Sequence, residues 1–104
     1  MQNELNEKQL EIKQISEREY WVGESRIYLG GDNIIYITSV GEDDEKTALA
    51  SKDVILKFVN MVKGKVNLIA DLNKIGKQSA AARKIWNDLS EHEKGGKIAL
   101  FGLN

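Results

Sequence analysis

Apolar residues along the chain come in short runs of two different periods, which together predict a domain that mixes strands and helices. Between Tyr20 and Val40, β-branched and aromatic residues occur in short bursts that are interrupted by Gly23 and by a Gly-Gly-Asp-Asn cluster. This pattern predicts an antiparallel hairpin with its turn at Gly30 to Asn33. The first arm of the hairpin is predicted as one irregular strand or two short strands.

A helical period follows the hairpin. The segment begins with the acidic run Glu42 to Glu45 and ends at Lys63 and Gly64, which suits the helix dipole and a glycine C-cap. The apolar and small residues that recur at helical spacing and should face the core are Ala48, Ser51, Val54, Ile55, Phe58, Val59 and Val62. We expect the helix to begin between Asp43 and Ala48 and the acidic run to be solvated.

Two further apolar runs, KVNLIADL and KIALFGLN, flank a second helix that starts near Ser79. A strand-helix-strand unit of this kind predicts parallel neighbours with a right-handed crossover. The fold class is therefore α/β, or α+β, with a four- to five-stranded mixed sheet. An N-terminal hairpin is followed by β-α-β-α-β order, and both helices are expected on one face of the sheet.

The chain divides into a polar arm, residues 1–19, and a single domain, residues 20–104. The arm is expected to be helical or flexible. The sequence stops two residues after Gly102 without a closing helix, so we expect a domain that lacks a C-terminal helix. The uncovered face of its sheet, or the arm, would then suit a homodimer or another partner.

Composition excludes several classes of function. The formal net charge of -1 gives no global field that would attract nucleic acid, and no apolar run is long enough for membrane insertion. The chain has no cysteine and one histidine, so a metal centre is not expected. Without a secretory signal or a recognisable catalytic or cofactor motif, we expect a cytoplasmic protein that is not an enzyme and needs no cofactor.

The segment DLNKIGKQSAAARKIWNDL, residues 71–89, links the strand to the alanine-rich helix through a polar joint. Ser79 is placed to cap this helix with its hydroxyl. Lys74 and Lys77 add positive charge near the helix N-terminus, which also allows an anion site, although Gly76 is the only glycine in the joint. The joint therefore predicts either a structural cap at Ser79 or an anion site at the helix N-terminus.

This joint and the order of elements resemble the STAS fold of sulfate transporters and anti-sigma-factor antagonists, and in particular its small SpoIIAA-like bacterial group. The resemblance covers roughly residues 20–104 and lies mainly in LIADLNKIGKQSAAARKIW. Asp71 and Leu72 match the Asp-Leu strand end of that family. Ser79 falls on the aspartate of the family's Asp-Ser-Ser-Gly tetrad and Ala80 on its phosphorylated serine, so Ser79 could accept phosphate only if the register shifts by one residue.

The resemblance implies a non-enzymatic regulatory or protein-interaction domain of a bacterial signalling protein. Its partner-binding residues would be Lys74, Lys77, Ser79 and Arg83, with Ser79 as the candidate phosphorylation site. The alternative hypothesis is a small-molecule or lipid-binding sensor domain, in which an apolar pocket lies between the sheet and the helices. A tightly filled core would count against that alternative.

Overall fold

A six-stranded mixed sheet carries two helices in the computed structural model, which describes residues 10–92 and 94–102. The part of the arm at residues 1–9 lies outside the described residues. The elements in chain order are β1 (Ile12–Ser16), β2 (Glu19–Val22), β3 (Ser25–Leu29), β4 (Ile34–Asp43), α1 (Glu45–Met61), β5 (Val66–Gln78), α2 (Ala80–Ser90) and β6 (Gly95–Phe101). The strands also follow this order across the sheet.

The first four strands form an antiparallel meander, as their short turns require. The predicted turn between β3 and β4 is confirmed: the Gly30 N–H donates to the Ile34 carbonyl at 2.9 Å, and Asn33 adopts a φ of 64°. The first arm of the hairpin is two strands rather than one. Gly23 joins them with a φ of 61°, a conformation that favours glycine.

The other half of the sheet is parallel, and the parallel pairing predicted for the two strands that flank α2 is confirmed. β5 pairs in parallel with β4 on one side and with β6 on the other. Ala70 therefore lies between Ile37 and Leu100 on adjacent strands. Each parallel connection contains one helix, so these strands form two consecutive strand-helix-strand units.

Both helices lie on one face of the sheet, and α1 covers its antiparallel half. Phe58 of α1 is fully buried, and its ring meets that of Tyr20 edge-on with the centroids 5.8 Å apart. Val22, Ile27, Leu29 and Ile35, from the strands below, are each at most 1% exposed. This part of the core is closely filled.

No described helix covers the opposite face of the sheet, which carries a row of polar and aromatic side chains. The Glu19 carboxylate accepts from Arg26 Nε at 2.8 Å and from Trp21 Nε1 at 2.9 Å. Both hydrogen bonds lower the pKa of Glu19, and the bond from Arg26 has the larger effect. The Arg26 guanidinium also lies 4.7 Å from the centre of the Tyr28 ring, so these side chains partner one another.

Two elements differ from the sequence prediction and account for the sheet's larger size. β1 lies within the arm for which a helix or flexible segment was expected. It forms because the exposed backbone edge of β2 offers it hydrogen-bond partners. The predicted polar joint is a continuation of β5 to Gln78, since β4 also continues, to Asp43, and pairs with it. A Cβ at Gly76 would lie 3.2 Å from the Gly41 carbonyl carbon, so this pairing brings the two backbones close together.

Candidate functional site

A pocket of about 420 Å³ lies between the parallel half of the sheet and α2. Its walls are mainly aliphatic. The apolar side chains of the strands that line it are Ile35, Ile37, Val66, Leu68, Ala70, Leu72, Ile75, Ile98 and Leu100. From the helices, Ile55, Val59, Trp86 and Leu89 complete the apolar lining.

The pocket exists because α2 packs mainly beside α1 and leaves β6 largely uncovered. Ile98 and Leu100 point to the helix face of the sheet, yet they are 45% and 55% exposed. A small residue, Ala70, lies at the floor of the pocket. The result is an apolar pocket that opens between α2 and β6.

One side of α2 forms the polar rim of this opening. Arg83, Asn87 and Ser90 recur at helical spacing and all line the pocket. Arg83 and Asn87 are exposed, whereas Trp86 and Leu89, on the adjacent side of the helix, pack against the core. The helix therefore presents an apolar side to the sheet and a polar side to the mouth.

A buried carboxylate joins three elements at one end of the pocket. Asp43, at the end of β4, is only 7% exposed. Its Oδ2 accepts from Trp86 Nε1 at 2.8 Å and from Gln78 Nε2 at 2.9 Å. Its backbone carbonyl accepts from the Ser79 N–H at 3.0 Å. Asp43 thus fixes the end of β5 and the start of α2 relative to β4.

The expectation of a solvated acidic run is therefore wrong at Asp43, because the longer β4 turns this side chain inward. The alternation that places Ile35, Ile37 and Ser39 toward the helices also places Asp43 there. Extending the strand past Val40 would have revealed it. The neighbouring Asp44 is exposed, as expected, and it also caps α1 by accepting from the Thr47 N–H at 2.9 Å, a bond that lowers the pKa of Asp44.

The four residues predicted to bind a partner all lie at the end of β5 or in the first turns of α2. Lys74 and Lys77 are exposed on β5. Arg83 is exposed on α2 and is the only one of the four that lines the pocket. Ser79 is the N-cap of α2, where its Oγ accepts from the Ala82 N–H at 3.0 Å. The structure therefore confirms the capping role predicted for Ser79.

Replacing Ser79 with alanine is expected to lower the free energy of unfolding by about 1 kcal/mol, because the first turn of α2 loses its acceptor. Ser79→Asp is the matched control, since aspartate caps helices about as well as serine. Urea unfolding of both variants measures the difference. Equal stability of Ser79→Ala and the wild type would contradict the capping role.

The opposite end of the pocket contains a second polar group, the side chain of His92. The backbone N–H of Lys94 donates to His92 Nδ1 at 3.1 Å, and His92 lines the pocket. The Lys94 ammonium donates to the Val59 and Val62 carbonyls at the end of α1. The Val59 carbonyl also accepts from the Val62 N–H, so the ammonium adds to the capping of the C-terminus of α1. The segment before β6 is thus fixed to α1 through Lys94 and to the end of α2 through the His92 N–H, which donates to the Leu89 carbonyl at 3.1 Å.

Comparisons with known proteins leave the family of the chain open. No family model matches the chain, and no curated protein matches it. Within residues 10–92 and 94–102, His, Asp and Glu side chains nowhere form a group of three that could hold a metal ion. Neither of the helices in this part of the chain is long and apolar enough to cross a membrane. The geometry of the pocket is therefore the main guide to function.

Proposed function

We propose that this domain binds a small apolar molecule in the pocket between its sheet and α2, without catalysing a reaction. The observation that carries the proposal is the pocket itself, which measures about 420 Å³ and has mainly aliphatic walls. Pockets that bind small molecules typically measure about 300–1,000 Å³ and combine apolar walls with a few polar groups. This proposal adopts the small-molecule sensor hypothesis in preference to the interaction domain.

The pocket is open to solvent beside β6, where Ile98 and Leu100 are about half exposed, so it is not an enclosed packing defect. The opening beside β6 gives a ligand access to this space, and aliphatic walls favour an apolar occupant over water.

Affinity for a simple ligand can be bounded from its buried methylene groups. Each contributes about 0.8 kcal/mol, so an eight-carbon chain gains roughly 6 kcal/mol before the cost of association is subtracted. A gain of roughly 6 kcal/mol alone corresponds to a dissociation constant of about 40 μM, and the cost of association shifts the expected value toward the millimolar range. A natural ligand that also satisfies the polar groups would bind more tightly.

Titration with the neutral fluorescent probe N-phenyl-1-naphthylamine tests the proposal. The wild type should give saturable binding with one site per chain. Ala70→Phe should weaken binding by more than about tenfold, since Ala70 is buried at the floor between Ile37 and Leu100. Leu49→Phe is the matched control, because Leu49 is 44% exposed on α1 and does not line the pocket.

Circular dichroism should show that both variants retain the fold. Absence of saturable binding to the wild type would contradict the proposal. Equal binding by a folded Ala70→Phe variant would contradict it as well, because the probe would then occupy another part of the surface.

A second candidate is the STAS-like regulatory domain, which would bind a protein partner through Lys74, Lys77, Ser79 and Arg83. One observation favours it. The three cations are exposed, and none forms an ion pair with a carboxylate in the described part of the chain. Together they suit an acidic surface on a partner. The resemblance to anti-sigma-factor antagonists supports a bacterial signalling role for such a partner.

Charge reversal at Lys74, Lys77 and Arg83 together tests this second candidate. Proteins captured from a bacterial lysate by the wild type would be identified, purified and titrated against each variant. The purified partner should lose at least about tenfold in affinity for the reversed protein. A control reversal uses three exposed lysines elsewhere: Lys13, Lys46 and Lys63. If both triple variants lose the same affinity for the partner, the loss reflects net charge and contradicts a binding site at Lys74, Lys77 and Arg83.

A further inference from the structure

We infer that Asp43 makes the pocket selective for an apolar ligand that carries a hydrogen-bond donor, such as an alcohol or an ammonium group, over a carboxylic acid. This inference rests on the proposed function and concerns the same pocket. It starts from the position of Asp43, which lines the pocket while only 7% of the residue is exposed. Among the described residues that line the pocket, Asp43 is the one with a carboxylate.

The hydrogen bonds of Asp43 fall unequally on its two oxygens. Oδ2 accepts from both Trp86 Nε1 and Gln78 Nε2. No side chain or backbone group in the described part of the chain donates to Oδ1. An ionised carboxylate can accept about four hydrogen bonds, so Asp43 retains unused acceptor capacity at the polar end of the pocket. Buried polar groups are normally satisfied, and a ligand donor would satisfy this one.

The apolar surroundings of Asp43 strengthen the preference for a ligand that carries a hydrogen-bond donor. Leu72, Ile75 and Trp86 line the same pocket and limit the access of water, which strengthens electrostatic interactions there. An ammonium group would gain a charge-assisted hydrogen bond and a hydroxyl group a neutral one. A carboxylate would place a like charge against Asp43 and offer no donor.

Two other features compete with this inference and shape its test. A second cavity of about 10 Å³, lined by Asp43, Ser39 and Ser51, has room for about one water molecule. Arg83, at the rim, would attract a carboxylate instead. Because Arg83 is exposed, its charge is screened by water, whereas that of Asp43 is shielded from it. The preference of the pocket should therefore follow Asp43.

The test compares three ligands that have the same alkyl chain: octan-1-ol, octylamine and octanoate. Each displaces N-phenyl-1-naphthylamine from the wild type, below the concentration at which it aggregates. The alcohol and the amine are expected to bind at least about tenfold more tightly than octanoate, the effect of about one good hydrogen bond. Asp43→Asn removes the charge but keeps an acceptor for Trp86. In this variant the preference for the amine over octanoate should therefore fall to threefold or less.

Asp53→Asn is the matched control, because it removes the same charge from an exposed position on α1 and should retain the wild-type preference. The ratio of the affinities of the three probes separates selectivity from a structural role of Asp43, because a structural role would weaken the binding of all three alike. Equal binding of the three probes, with Ala70→Phe still blocking them, would overturn this inference and leave the proposed function standing. A preference for octanoate that is lost in Arg83→Gln would also overturn it. If no probe binds, both proposals fail.

Discussion

Replacing Phe58 with alanine should lower the free energy of unfolding by about 3–5 kcal/mol, the usual cost of deleting a fully buried ring. Phe58 has no solvent exposure, and its ring packs edge-on against Tyr20 beneath the antiparallel half of the sheet. Urea unfolding, with the slope checked against the wild type, measures the loss. Few side chains in the described part of the chain are as large and as completely buried.

Leu100→Ala is the informative counterpart. Leu100 also faces the helices, but it is 55% exposed at the mouth of the pocket. Its removal should cost less than about 1 kcal/mol, since little apolar surface returns to water. Comparable losses for Phe58→Ala and Leu100→Ala would show that the parallel half is as closely packed as the antiparallel half, and would contradict an accessible pocket.

The second large effect is expected at Trp86, which both packs against the core and donates to Asp43. Trp86→Ala should destabilise the domain by about 3 kcal/mol, through lost packing and a buried carboxylate that loses a donor. Trp86→Phe keeps an aromatic ring and should cost about 1–2 kcal/mol, chiefly the hydrogen bond. The difference between the two variants separates packing from hydrogen bonding.

Combination with Asp43→Ala checks the Trp86 assignment. Because alanine removes the acceptor of the indole N–H, Trp86→Phe should cost less in the Asp43→Ala background than in the wild type. Unfolding measurements on the two single variants and the double variant give this coupling. Strict additivity would contradict an energetic link between Trp86 and Asp43.

Local signals in the sequence were sufficient for much of the fold. The cluster at Gly30 to Asn33 defines a turn because asparagine and glycine tolerate backbone conformations that other residues avoid. Ser79 predicts the start of α2 because its hydroxyl can replace a missing acceptor. The apolar runs before and after α2 predicted parallel strands correctly. In each case a few neighbouring residues contain the information.

The parts that differ depend on partners distant in the chain. β1 has polar residues on both faces and exists through its backbone pairing with β2, which its own side chains do not indicate. β5 continues through Asn73 to Gln78 because β4 continues beside it. Neither extension produces an apolar pattern that single-segment reasoning could use.

The site was only partly predictable for a related reason. The order of elements predicts that α2 lies over the sheet, but periodicity does not specify how far α2 lies from β6. The pocket follows from that separation and from the small side chain of Ala70 at its floor. Asp43 was missed because an acidic run before a helix usually lies in water. Arg83 was selected as a partner-binding residue and lies at the rim of the pocket.

Methyl NMR during a titration with octan-1-ol tests the central claim most directly. Binding in the pocket predicts saturable shifts of the methyl groups that line it, above all those of Leu68, Leu72, Ile98 and Leu100. The methyl groups of Ile15 and Leu49, which are exposed elsewhere, should remain unchanged. Shifts that never saturate, or that affect Ile15 and Leu49 as strongly as the pocket residues, would contradict a binding site beneath α2.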